Sequence, residues 1–125
     1  MNIFTPYLIP GIALVLTLAS GFWLSSLGRP YRTAIFNVHK LIALGAVIAA
    51  AVQFVGALRA APPQALAGAA LAVAGVCVVA LFASGAFLSL NNPNYALLLA
   101  IHRVAPALAV AALALAVWLL TRRPL

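Results

Sequence analysis

The chain contains no Asp and no Glu in 125 residues, yet it carries seven Lys and Arg. A soluble surface needs charges of both signs interspersed over it, and this chain cannot build one. Long apolar runs bounded by Arg, Pro and Asn read instead as membrane spans. Four such runs occur, over 7–27, 33–58, 64–90 and 95–121, and 67% of all residues are hydrophobic. Each run is long enough as a helix to cross about 30 Å of hydrocarbon. The four runs account for most of the chain, so a soluble catalytic domain is not expected. The first run lacks a basic leading segment and is longer than the apolar part of a secretory signal, so it is expected to span rather than to be removed.

The connections between runs are short. Gly28-Arg29-Pro30-Tyr31-Arg32, Arg59-Ala60-Ala61-Pro62-Pro63 and Asn91-Asn92-Pro93-Asn94 each carry the Gly, Pro or Asn of a turn, and Asn94 stands where the fourth helix would be capped. Short loops make successive helices antiparallel neighbours. The expected fold is therefore all-α: an integral membrane, up-down-up-down four-helix bundle forming one transmembrane domain over 1–125.

That domain is built from two tandem helix hairpins, repeat one over 1–62 and repeat two over 63–125. Ala19-Ser20-Gly21-Phe22-Trp23-Leu24-Ser25 aligns with Ala83-Ser84-Gly85-Ala86-Phe87-Leu88-Ser89, with five identities and an aromatic residue in both at a sixth position. His39 follows Gly21 by eighteen residues and His102 follows Gly85 by seventeen. These are the only two histidines. Counted from the loop ends at 1.5 Å per residue, both glycines and both histidines fall about 10 Å in from one membrane face.

Ionisable groups within a membrane are costly and mark function by default. Two histidines are too few for a tetrahedral zinc site, and with no carboxylate and Cys77 as the sole cysteine nothing completes one. The same count excludes an internal disulfide. Haem needs only two axial protein ligands, because the porphyrin supplies the rest. The expected site is one bis-histidine haem b, with His39 and His102 as metal ligands. From His39 the helical steps run Ala43, Ala46, Ala50, Gln53 and Ala57; from His102 they run Ala105, Pro106, Ala109, Ala112 and Ala116. These stripes suit tight helix packing and equally suit room for a flat ligand.

The net charge of +7 is no nucleic-acid signal here, because the cations cluster at helix ends where headgroups attract them. Arg32, Lys40 and Arg103 lie on the face nearest the histidines, where each is positioned for a haem propionate. Lys40 and Arg103 directly follow the histidines and so point about 100° away around the helix, which also suits headgroups. For the second ring nitrogen of each histidine, the nearby acceptors are backbone carbonyls such as those of Ile35 and Leu98, or the hydroxyls of Ser20 and Ser84. Pro106, four residues after His102, removes an amide that would bond the His102 carbonyl.

Four apolar helices, with Gly in the first and third, His early in the second and fourth, and a basic residue after each His, resemble the transmembrane cytochrome b superfamily. That superfamily includes ferric-reductase-like and hydrogenase- or dehydrogenase-associated b-type subunits. The resemblance implies haem b held by His39 and His102, with Gly21 and Gly85 making room for the porphyrin. Many members hold two stacked haems on four histidines; one pair here implies one haem.

The expected function is electron transfer, as a redox protein or subunit rather than a stand-alone enzyme. Expected partners are the lipid bilayer and a redox subunit or quinone, with a homo-oligomer also open, and the expected setting is a bacterial inner (plasma) membrane. Two other classes stay open: a haem-free small transporter or channel using a histidine proton relay, and a structural subunit of a membrane complex. The small multidrug exporters of similar size couple to protons through a membrane-embedded glutamate, which this chain lacks.

Overall fold

A computed structural model describes residues 5–28, 33–90 and 93–122. The described residues are almost entirely helical. A single 3-10 turn over Thr5–Tyr7 leads into α1 (Leu8–Leu27), followed by α2 (Thr33–Ala60), α3 (Ala65–Leu88) and α4 (Tyr95–Thr121). At 1.5 Å per residue the helices are about 30 to 42 Å long, and all four are long and apolar enough to cross a membrane. Inside hydrocarbon every backbone polar group must find a partner within the protein, and the helix satisfies this locally.

The helix ends follow from local chemistry. Gly28 closes α1 at φ 70° and ψ −177°, a positive-φ, extended conformation that essentially only glycine adopts. Past α2, the Ala61 amide still reaches the Ala57 carbonyl at 3.3 Å. Pro62 and Pro63 then stop propagation, because a proline disfavours helical geometry in the residue before it. Asn94 holds the N-cap position of α4 without a side-chain capping bond, and its backbone carbonyl accepts from the Leu98 amide at 3.0 Å. Pro106 lies within α4 without ending it, as membrane helices tolerate when neighbours compensate.

The chain divides into two compact units, Met1–Ala61 and Pro62–Leu125. In the first, α1 packs on α2 as an antiparallel hairpin. The Tyr7 and Phe54 rings meet at 5.6 Å and 43° near one end, and Ser20 meets His39 near the other. In the second unit α3 packs on α4.

The inward positions repeat in alternating steps of three and four. They are 67, 70, 74, 77, 81, 84 and 88 on α3, and 98, 102, 105, 109, 112, 116 and 119 on α4. This is the spacing that keeps one seam facing a partner helix. Lipid is as apolar as the side chains, so helices in a membrane associate by close van der Waals packing of small residues rather than by hydrophobic driving force. The second hairpin meets this requirement best. Ala67, Ala70, Ala74, Cys77 and Ser84 are buried on α3, and Ala105, Ala109, Ala112 and Ala116 on α4. The first hairpin buries only Leu24 on α1 and Ala46 on α2 among its described residues. Bulkier Leu24 and Gln53 stand in its seam, and the helices are held further from full closure. Large apolar side chains such as Ile9, Phe22, Leu41, Val76 and Val104 face outward, as lipid contact requires.

Candidate functional site: a Ser-Gly-His cluster in each hairpin

The two histidines stand in equivalent surroundings, each within its own hairpin. His39 sits in the second turn of α2 and faces the last turns of α1. Its Nδ1 lies 2.9 Å from Ser20 Oγ. His102 sits in the third turn of α4 and faces the end of α3, with its Nδ1 also 2.9 Å from Ser84 Oγ. Each serine hydroxyl additionally donates to the carbonyl three residues back in its own helix: Ser20 to Thr17 at 3.0 Å and Ser84 to Leu81 at 3.2 Å. Of the acceptors the sequence left open, the hydroxyls of the repeated Ala-Ser-Gly motif meet Nδ1. The Thr17 and Leu81 carbonyls that share these hydroxyls carry no signal in the sequence, because any residue three before each serine would supply one.

The glycine beside each serine makes the approach possible. A Cβ on Gly21 would lie 2.9 Å from His39 Cε1 and 3.5 Å from each ring nitrogen. A Cβ on Gly85 would lie 3.2 Å from His102 Cε1 and 3.7 Å from its Nδ1. A side chain at either position would push the ring away from its serine. The clearance that the sequence offered to a porphyrin edge is thus taken up, in each hairpin, by the imidazole itself. His39 turns the whole Nδ1–Cε1–Nε2 edge towards Gly21, whereas His102 approaches Gly85 through Cε1 and Nδ1.

The small-residue stripes below the histidines turn towards the hairpin partner. Ala46, Ala105, Ala109, Ala112 and Ala116 are buried, and Ala43, Ala50, Gln53 and Ala57 are partly covered. Within each hairpin they serve as packing surface, which lets the helices approach closely enough for serine to meet histidine.

The basic residues are less confined. Lys40 is exposed and holds its Nζ 4.3 Å above the Phe36 ring one turn back, a cation–π contact. Arg103 is exposed on α4. Arg32 lies outside the described residues, as do Arg29 and Arg123. Arg122 stacks 4.2 Å over Trp118 at the end of α4, an arrangement suited to a membrane interface. Cys77 is buried in the α3 seam and packs as a small apolar residue.

Among the described residues, no three His, Cys, Asp or Glu side chains gather. Each imidazole has one ring nitrogen engaged by a hydroxyl, the partner that the second nitrogen of a metal-ligating histidine ordinarily takes. No family model, curated protein or solved structure matches the chain.

Proposed function

We propose that this is a membrane b-type cytochrome in which His39 and His102 ligate one haem and which serves electron transfer. In this reading the two hairpins are tandem repeats that join as one up-down-up-down bundle in a bacterial plasma membrane. The observation that carries it is the repetition of one cluster in both hairpins: serine 2.9 Å from Nδ1, glycine against Cε1. A pair of axial ligands needs two equivalent imidazoles, and the repeat supplies them.

Haem, when bound, supplies a one-electron iron couple. The chain's own residues orient and confine it. Ser20 and Ser84 hold the rings, Gly21 and Gly85 let them lie against the neighbouring helix, and Arg32, Lys40 and Arg103 supply cations for the propionates. With no acidic side chain available, hydroxyl partners leave the imidazoles less basic than a carboxylate partner would. A redox subunit or a quinone is the electron partner.

A second reading has its own support. The Ser–His pairs close within single hairpins, which suits histidines that clasp α1 to α2 and α3 to α4 in a structural subunit. The absorption spectrum of detergent-purified protein, oxidised and then dithionite-reduced, separates the two. A Soret band with low-spin bands on reduction, lost in both His39→Ala and His102→Ala, is the expected result. A protein that stays colourless after hemin is added leaves the clasp.

A further inference from the structure

We infer that Ser20 and Ser84 act as positioning residues that hold both histidines in the Nδ1–H tautomer, so that Nε2 carries the ring lone pair in each hairpin. A hydroxyl has one proton to give. In each hairpin two atoms compete for it: a backbone carbonyl at 3.0 Å or 3.2 Å, and Nδ1 at 2.9 Å. The carbonyl can only accept, whereas Nδ1 can accept or donate according to tautomer. Were the hydroxyl proton given to Nδ1, the hydroxyl oxygen would face the carbonyl oxygen at 3.0 or 3.2 Å with no proton between them, a repulsive contact that a low-dielectric medium strengthens. Were it given to the carbonyl, the hydroxyl oxygen accepts from Nδ1–H and both short contacts carry a proton. The second arrangement wins in both hairpins.

The glycines add a steric constraint. With Cε1 against Gly21 or Gly85, the ring cannot slide toward the serine helix, and Nδ1 keeps its place at the hydroxyl. The tautomer follows from the hairpin alone. Its consequence rests on the haem reading: the nitrogen presented to iron is Nε2, and each serine sets ring orientation without touching the metal.

Nitrogen-15 NMR of histidine-labelled, haem-free full-length protein in detergent tests the inference at a pH above the usual histidine range. Two-bond proton–nitrogen correlations are expected to show an unprotonated Nε2 and a protonated Nδ1 for both residues. Ser20→Ala is expected to move the His39 pattern toward the other tautomer while His102 stays unchanged, and Ser84→Ala to do the converse. The unaltered histidine reports that the variant is folded. A protonated Nε2 in the parent protein overturns the inference. So does a pattern that neither alanine variant alters.

Hemin titration reads the haem consequence. Each serine-to-alanine variant is expected to bind about 10- to 100-fold more weakly, and Ser20→Thr and Ser84→Thr, which keep the hydroxyl, to recover. A parent protein with the expected tautomers that takes up no hemin defeats the cytochrome reading and leaves the tautomer assignment standing. One that binds hemin with the opposite tautomers does the reverse.

Discussion

His39 Cε1 stands where a Cβ on Gly21 would lie only 2.9 Å away, while the matching distance from Gly85 to His102 is 3.2 Å. The two hairpins therefore share a motif but not a tolerance. Gly21→Ala is expected to displace the His39 ring at an overpacking cost of about 1–3 kcal/mol, offset in part by the ~1 kcal/mol that alanine gains over glycine inside a helix. Gly85→Ala needs a shift of only a few tenths of an ångström and is expected to cost less. Unfolding midpoints of the two variants, followed by helicity in mixed micelles of rising SDS content, check the order. Equal midpoints would contradict the geometry. In the haem-bound protein, Gly21→Leu and Gly85→Leu are expected to abolish haem uptake by removing the ring from its place while the helices persist.

Ser84 is 3% exposed and bonds both to Leu81 and to His102. A double-mutant cycle of Ser84→Ala and His102→Ala is expected to give a coupling of about 0.5–1.7 kcal/mol, the range for side-chain hydrogen bonds between membrane helices. The same cycle at Ser20 and His39 is expected to give a similar value, since the bond length is the same. Additive effects in either cycle would mean that the pair does not interact.

Ala116 is fully buried in the second hairpin, whereas Leu115 beside it is 38% exposed. Ala116→Leu is expected to force the α3/α4 seam apart at a cost of about 1–3 kcal/mol, and Leu115→Ala to have little effect because lipid replaces the lost contact. Ala50→Leu in the more open seam of the first hairpin should be milder than Ala116→Leu. Denaturation midpoints of the three variants decide.

Gly28 holds φ 70°, and a Cβ added there would meet no atom within 4 Å. Steric crowding from neighbours is therefore absent, and only backbone conformation opposes a side chain there. With ψ −177° beside that φ, Gly28 lies in a region that essentially only glycine occupies, so Gly28→Ala is expected to cost about 1–3 kcal/mol, and Gly28→Asn about as much, because Asn is tolerated at helical rather than extended ψ. If the alanine and asparagine variants melt together with the parent, the turn does not need this conformation.

Much of the architecture is legible in the sequence because its causes are local. The fourth span reads as 95–121, and the helix covers Tyr95–Thr121. The first differs only in that its opening residues form a 3-10 turn. The third reads as 64–90, but regular helix ends at Leu88, where the Ser89 amide reaches back to both Gly85 and Ala86 and tightens the final turn. The second continues to Ala60 rather than 58, since nothing before Pro62 prevents it. Helix number, extent and membrane-crossing length follow from apolar run length, because a backbone in hydrocarbon must satisfy its own hydrogen bonds residue by residue.

The site divides along the same line. The sequence itself singles out His39, His102, Gly21, Gly85, Ser20 and Ser84 through a repeated motif and a matched spacing. Tertiary structure alone decided that the glycine clearance receives an imidazole, that the serine hydroxyls meet Nδ1, and that the alanine stripes turn towards a helix of the same hairpin. Those outcomes depend on the rotation of each helix about its axis and on how closely two helices approach. Both are set by small side chains spread along the whole seam, from Ala67 to Ser84 and from His102 to Ala116, and no short stretch of sequence contains that sum.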